Sequence, residues 1–295
     1  MGMKGFICPE HGESPGRKNL PNYCVTKCTM PCVAPQVLNA MYETEKQNPH
    51  KGKIISASML CGGCKRKDFL QRTLDYYIKP DDKLPTFRGT LVHKIVEDAK
   101  QVRLAKAGWL LEKHMELPVK TEAGEWTLSA TLDCYDASRK TLYDVKTLGT
   151  FATTKLVTGT EPGTWSKNIP DSYVKQLNIY RYMAHELKLF KVERLRLQLI
   201  DFSRLILTGT RVKYGYGKNQ KVSDVPDVPI LSKKVVEEII QREGDLWYRI
   251  LFANQQPPVV GADYDWLCKI CHFNGTKFCP DPKKEREEQI KRFDL

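Results

Sequence analysis

The segment Leu142-Tyr143-Asp144-Val145-Lys146-Thr147 decides the fold and the chemistry that we expect of this chain. Its branched and aromatic residues at alternate positions predict a short strand. Side chains alternate between the two faces of a strand, so Asp144 and Lys146 share one face. A carboxylate and an ammonium group side by side suit metal-dependent hydrolysis, because the carboxylate can bind a hard divalent ion and the lysine can orient or deprotonate water. A surface ion pair on an edge strand is the alternative interpretation, so the flanking segments must decide.

A second carboxylate comes from the strand predicted over residues 126–137, which alternates between apolar and polar side chains. Asp133 lies on the polar face of this strand, near its end. A turn at residues 136–140 leads straight into the central strand, and Asp133 and Asp144 lie at matching distances from that turn. A hairpin therefore brings the two carboxylates together on one face, where they must share a cation or shift their pKa values. An exposed strand aspartate is the alternative for Asp133.

Two predicted helices flank these strands. The apolar residues of segment 88–99 recur at helical spacing, with His93 at the margin of the apolar stripe. A second helix is predicted over Ser172–Leu187, where Gln176 and Tyr180 are four residues apart and therefore lie on one face. A histidine that only packs, and a core tyrosine with a glutamine at its rim, are the alternatives to functional roles.

Length, net charge and apolar content indicate the size of the fold and the kind of partner. The chain has 295 residues, enough for one large core and an appended module, and a formal net charge of +12. That charge favours a polyanionic partner, as do the basic and aromatic residues interleaved over 211–221, although a solvated hairpin would have the same composition. The sequence has neither an apolar stretch of transmembrane length nor an N-terminal signal peptide, so we expect a cytoplasmic protein without a membrane partner.

The ten cysteines point to metal ligation rather than disulfides, since no export signal accompanies them. The first segment is too short and polar to form its own core, and its nitrogen and sulfur ligands suit tetrahedral zinc. A disordered arm with free thiols is the alternative, and five candidates for four positions leave one cysteine spare. The candidate zinc ligands are Cys8, His11, Cys24, Cys28 and Cys32.

A second group of thiols lies outside the N-terminal segment. Cys61 and Cys64 precede the basic triplet 65–67, and helical spacing of apolar residues continues from residue 64 to residue 78. That triplet is compatible with a solvated face or with phosphate binding. Near the C-terminus, Cys268, Cys271 and Cys279 form a group that lacks a fourth ligand, so either His272 or a distant cysteine must supply it.

Taken together, these motifs resemble the PD-(D/E)xK nuclease superfamily, and within it the RecB-like exonucleases. They occur in the family's order over about two hundred residues: Gly89 to His93, then Asp133, then Asp144 to Lys146, then Gln176 to Tyr180. The thiols are similar to those of the subgroup that includes the CRISPR-associated RecB-like exonucleases and the AddB nuclease domain. In that subgroup one upstream cysteine joins three near the C-terminus around a [4Fe-4S] cluster. Two departures are Ala130, where the family has glycine, and the cysteine-rich first segment, which lies outside the resemblance.

The resemblance implies an α/β fold, namely a restriction-endonuclease-like mixed β-sheet flanked by helices, with a small N-terminal cysteine-rich module. The motifs and linkers together predict three segments. These are a cysteine/histidine-rich zinc module and linker over 1–55, a nuclease domain closed by a metal cluster over 56–282 and a charged tail over 283–295. The cluster ligands implied are Cys64, Cys268, Cys271 and Cys279, with Cys61 as a further candidate.

The activity implied is that of an Mg²⁺- or Mn²⁺-dependent deoxyribonuclease, an exonuclease acting on DNA ends or single strands in recombination, repair or CRISPR-type processing. Recombination or CRISPR adaptation proteins would be its partners. A DNA-binding recombination or adaptation factor that does not cleave is the alternative, against which the intact catalytic residues argue. The roles implied are metal binding by His93, Asp133, Asp144 and the Val145 carbonyl, water orientation by Lys146, and support from Gln176 and Tyr180.

Overall fold

A computed structural model provides the structure of the protein. It describes residues 3–6, 40–41, 53–74, 76–78, 87, 89–92, 94, 107–148, 169–201, 206–207, 227–253, 255, 257, 268, 271, 273–274, 276 and 279. The chain divides into two compact units that interleave along the sequence. The first consists of residues 1–52, 62–87 and 249–295, and the second of residues 53–61 and 88–248.

The first unit contains a two-stranded parallel pair and a short helix. Strand β1 (Met3–Phe6) pairs with β3 (Tyr76–Ile78), and a helix over Lys65–Thr73, which we call α2, precedes β3. The helical pattern predicted over residues 64–78 is therefore wrong in its last part. Leu74 already has extended backbone angles, and the aromatic and branched residues that follow pair with β1 instead of continuing the helix.

The second unit is a mixed α/β structure built on one sheet. Its strands are β2 (Ile54–Ser56), β4 (Trp109–Lys120), β5 (Glu125–Asp136), β6 (Thr141–Leu148), β7 (Arg194–Asp201) and β8 (Ile206–Leu207). The order is β2-β5-β6-β7-β8, and β4 pairs with β5 along the whole of that strand. Strands β2 and β6 therefore share the opposite edge of β5, at its beginning and its end.

The turn between β5 and β6 is set by the buried carboxylate of Asp136. Its Oδ1 accepts hydrogen bonds from the Ser138 backbone N–H at 2.9 Å and the Ser138 hydroxyl at 2.6 Å, and Arg139 Nη1 donates to its Oδ2 at 2.7 Å. Burial alone would raise the pKa of Asp136, but these hydrogen bonds outweigh burial and lower it. The turn fixes a register whose last pair is Cys134 with Tyr143, so Asp133 and Asp144 are the next residues beyond the end of the ladder.

Helices cover the sheet of the second unit. Strands β6 and β7 run parallel and are joined through α3 (Asp171–Glu186), which packs against β6 and against the short helix α1 (Ala57–Leu60). Helix α3 begins after Pro170 and ends before Lys188, whose backbone has a positive φ of 54°. Helix α4 spans Lys233–Phe252. The predictions for α3 and the central strands β5 and β6 are confirmed to within two residues.

The opposite face of the sheet carries an apolar cluster. Val92 packs with Cys134 and Val145, and Trp109 stacks on Tyr143 with ring centroids 5.6 Å apart. Residues 89–92 are helical, as the sequence predicted for that segment. The alternation of β6 thus buries Val145 on one face and leaves Asp144 and Lys146 to the other.

Candidate active site

The two predicted carboxylates lie buried on neighbouring strands. Asp133 is 5% exposed and Asp144 is 1% exposed, so neither is the solvated strand aspartate of the alternative interpretation. The backbone ladder between β5 and β6 stops at Cys134 and Tyr143. Beyond that point Asp133 Oδ2 accepts a hydrogen bond of 2.6 Å from the Val145 backbone N–H. This bond holds the Asp133 carboxylate against the peptide bond that joins Asp144 to Val145.

Lys146 joins this carboxylate pair to helix α3. Its Nζ lies 2.9 Å from Asp144 Oδ2 and 3.1 Å from Oδ1, and it donates to Gln176 Oε1 at 3.2 Å. Burial lowers the pKa of Lys146, but the neighbouring Asp144 outweighs burial and raises it. The lysine is therefore a cationic hydrogen-bond donor at neutral pH, which suits orienting a water molecule better than deprotonating one.

One face of α3 supplies three side chains to the site. Tyr173, Gln176 and Tyr180 are spaced by three and four residues, so they lie in line along the helix. Gln176 Nε2 donates to Tyr180 Oη at 2.6 Å, and the Lys146 ammonium lies 5.1 Å from the centre of the Tyr173 ring. Burial raises the pKa of Tyr180 and of Tyr173, which keeps both hydroxyls neutral. Sequence analysis missed Tyr173, although its spacing from Gln176 was a signal for it.

Cys61 lies beside this site. Its thiol donates to the Ala57 carbonyl at 2.9 Å, and burial raises its pKa to about 12. Lys175 and Lys146 act in the opposite direction on the same pKa, so both ammonium groups lie within electrostatic range of this thiol. These contacts give Cys61 a packing position in the second unit.

Glu112 is a further residue that the sequence did not single out. In the antiparallel register of β4 and β5 it falls between the pairs Leu111–Cys134 and Lys113–Leu132, as Asp133 does on the facing strand. Its φ of 45° is left-handed, which costs free energy for a residue with a side chain and is often found at functional sites. Burial raises the pKa of Cys134 to about 12, and Asp133 and Glu112 add to the effect.

The four predicted cluster cysteines are all described, and all belong to the first unit. Cys64 caps α2, where its Sγ accepts from the Lys67 backbone N–H at 3.4 Å. Burial raises the pKa of Cys64, and Cys271 and Cys268 raise it further. Burial also raises the pKa of Cys279, with contributions from the other three thiols. Cys64 and Cys279 therefore lie within electrostatic range of each other and of Cys268 and Cys271.

The surroundings of these thiols are partly fixed by contacts within the first unit. Arg66 is 6% exposed and donates to the Pro257 carbonyl at 3.1 Å, so the middle residue of the basic triplet is not on a solvated face. Phe273 packs edge-on against Tyr76, with centroids 5.5 Å apart. Among the described residues, no group of three or more His, Cys, Asp or Glu is arranged to hold a metal ion.

Several predicted ligands lie outside the described residues. These are His93 and the five candidates for zinc, namely Cys8, His11, Cys24, Cys28 and Cys32. Their roles stay predictions. Val145 is described and buried, next to Asp144.

Comparisons with known proteins add little to this geometry. Within the described part of the chain, no helix has the length and apolar character needed to cross a membrane. No family model matches the chain, and no curated protein matches it. Among solved structures it is similar to one titled "Crystal structure of SSO0001", with a TM-score of 0.46 and 14% identity over 81% of this chain and 92% of that one. A similarity this low assigns neither the fold nor the function of that structure to this chain.

Proposed function

We propose that the protein is a divalent-metal-dependent deoxyribonuclease that hydrolyses phosphodiester bonds at DNA ends or in single strands, on a restriction-endonuclease-like fold. The observation that carries the proposal is the buried arrangement of Asp133, Asp144 and Lys146, with Gln176 on the lysine. Buried ion pairs contribute little net stability, because desolvation offsets their attraction. Two buried carboxylates with a lysine that is only 19% exposed are thus better explained by chemistry than by folding.

The donor atoms fit a hard divalent ion. Carboxylate oxygens on adjacent strands, with the Val145 carbonyl beside them, are the ligand type that Mg²⁺ and Mn²⁺ prefer, and His93 is a further candidate. When bound, such an ion supplies Lewis-acid stabilisation of a phosphoryl oxygen and lowers the pKa of its water. Lys146 donates toward the reacting group, and Gln176 and Tyr180 hold Lys146 in place through the hydrogen bonds described above.

We further propose that Cys64, Cys268, Cys271 and Cys279 hold a [4Fe-4S] cluster. Four thiols in one unit, each within electrostatic range of others, support this donor set. Four thiolates also suit zinc, so the chemistry of the ligands alone does not choose between the two. The family resemblance favours iron and sulfur.

The alternative is a DNA-binding recombination or adaptation factor that does not cut. The test is to incubate anaerobically purified protein with end-labelled single-stranded and double-stranded DNA, with and without Mn²⁺. Asp144→Asn should abolish cleavage while DNA binding persists, because binding is spread over many basic contacts. Asp227→Asn is the matched control, because Asp227 forms an ion pair with Arg196 away from the site. Arg196 lies next to Tyr143 in the register of β6 and β7, and Tyr143 is on the opposite face of β6 from Asp144. Binding without metal-dependent cleavage by the wild type would support the alternative, and equal cleavage by Asp144→Asn would refute the site.

A further inference from the structure

The N–H donors of Lys146 are matched by acceptor atoms of the protein. A lysine ammonium group carries three N–H donors. Its Nζ lies 2.9 Å from Asp144 Oδ2, 3.1 Å from Asp144 Oδ1 and 3.2 Å from Gln176 Oε1. These acceptors can engage all three donors. A water molecule or a phosphate oxygen therefore receives a hydrogen bond from Lys146 only after the ammonium gives up one of its present contacts.

Tyr173 contacts the same ammonium group in a way that uses no acceptor atom. Lys146 Nζ lies over the Tyr173 ring, 5.1 Å from its centroid. That is within the distance of about 6 Å at which the electron-rich face of a ring attracts a cation. The attraction is stronger where water is excluded, and the Lys146 side chain is only 19% exposed. Tyr173 can thus hold the positive charge while the N–H donors change partners.

Helix α3 places this ring at the outer end of the site. Tyr173, Gln176 and Tyr180 follow one another along one face of the helix. Tyr173 and Gln176 are half-buried, whereas Tyr180 is buried. The Tyr173 backbone N–H donates to the Pro170 carbonyl at 2.9 Å, which fixes this residue in the first turn. The ring therefore meets Lys146 at the end of this face that lies nearer to solvent.

The proposed reaction requires a lysine that is held in place and yet has a donor to spare. We propose that Tyr173 is a positioning residue, whose ring holds the Lys146 ammonium group while one hydrogen bond of that group passes from Asp144 to the substrate. The inference rests on the proposed function, because Tyr173 acts there through Lys146. Its effect should fall on the rate of cleavage and not on the affinity for DNA, which many basic contacts share.

Urea unfolding without DNA or metal measures the contact between the two side chains. A double-mutant cycle of Tyr173→Leu and Lys146→Met should show a coupling of about 2- to 30-fold in the folding equilibrium constant, the range expected for a cation over a ring. The same cycle with Tyr173→Phe should show little coupling, because phenylalanine keeps the ring face. Tyr182→Leu is the matched control, since Tyr182 lies on the same helix with Lys233 over its ring at 5.8 Å, and it should be uncoupled from Lys146.

Cleavage of end-labelled single-stranded DNA with Mn²⁺ measures the consequence for the reaction. Tyr173→Leu should lower kcat by about 2- to 30-fold and leave KM for DNA unchanged. Tyr173→Phe should recover most of the lost rate, and Tyr182→Leu should cleave like the wild type. Where Tyr173→Leu does not fold, phenylalanine and 3,4,5-trifluorophenylalanine at position 173 give the same contrast, because fluorine withdraws electron density from the ring face with little change of shape.

The two measurements separate this inference from the proposed function. Absence of coupling between positions 146 and 173, equal coupling with Tyr173→Phe and Tyr173→Leu, or an unchanged kcat in Tyr173→Leu would each overturn the role of the Tyr173 ring. An equal effect of Tyr182→Leu would overturn it as well. Coupling in a wild type that does not cleave would support the contact and refute the nuclease, whereas cleavage without coupling would refute only the inference about Tyr173.

Discussion

Replacing Lys146 by methionine tests the buried ion pair and the proposed catalysis in one protein. The Lys146 side chain is 19% exposed and its partner Asp144 only 2%, at a distance of 2.9 Å. Methionine keeps much of the aliphatic stem but leaves the Asp144 carboxylate buried without this cation. Breaking a buried pair costs about 3–5 kcal/mol, and we expect about 3 kcal/mol because the lysine end is partly exposed.

The expected loss of stability can be measured by thermal unfolding. For a unit of about 170 residues, 1 kcal/mol corresponds to about 2–4 °C, so Lys146→Met should lower the unfolding temperature by about 6–12 °C. Adding Asp144→Asn removes the buried negative charge that has lost its lysine, and it should restore part of the lost stability. Thermal unfolding followed by circular dichroism gives both values. Lys191→Met is the control, because Lys191 pairs with Glu193 at 2.9 Å but is 71% exposed, and it should unfold at the wild-type temperature.

The same variant should lose cleavage of labelled DNA by about 100-fold or more, the loss typical of removing one preorganised donor from a transition state. Cleavage near the wild-type rate would refute the role of Lys146. A double variant no more stable than Lys146→Met would refute the argument that the stranded carboxylate causes the destabilisation.

Three further predictions follow from single side chains. The pKa of Asp136 is lowered below its ordinary value of 3.8 in the folded protein. The contribution of Asp136 to stability is therefore complete above about pH 3.8 and is lost as the pH falls through the lower pKa of the folded state. Asp136→Asn should remove this part of the acid dependence, measured by urea unfolding between about pH 2 and pH 6. Gly244→Ala should destabilise by about 1–3 kcal/mol, because its Cβ would overlap the buried Trp126 ring and this outweighs the gain of about 1 kcal/mol in helix propensity; an unchanged unfolding temperature would contradict it. Cys268→Ala should remove the brown colour of anaerobic protein and much of its soluble yield, whereas Cys61→Ala should keep both; colourless wild type with stoichiometric zinc would overturn the cluster.

Local patterns in the sequence determined the elements that carry the site. Alternation along β5 and β6 predicted which apolar residues face the core. The spacing of Asp133 and Asp144 from one turn predicted that a hairpin brings them together, and both residues come directly after the last pair of the β5–β6 ladder. The period of α3 placed Gln176 and Tyr180 on one face, where they are now hydrogen-bonded. These predictions needed only the geometry of a hairpin and of a helix, in which every residue's position follows from its near neighbours.

Other features were decided by contacts between residues far apart in sequence. The contact of Lys146 with Gln176 depends on how α3 packs on β6, and Arg66 is buried against Pro257, 191 residues away. The helix that begins at Lys65 ends at Thr73 because β3 pairs with β1, which lies far earlier in the sequence, at Met3–Phe6. Periodicity gives the direction of a side chain on its own element but not what that element packs against, since the same apolar face is stabilised by any surface that excludes water. Tertiary packing chose those partners.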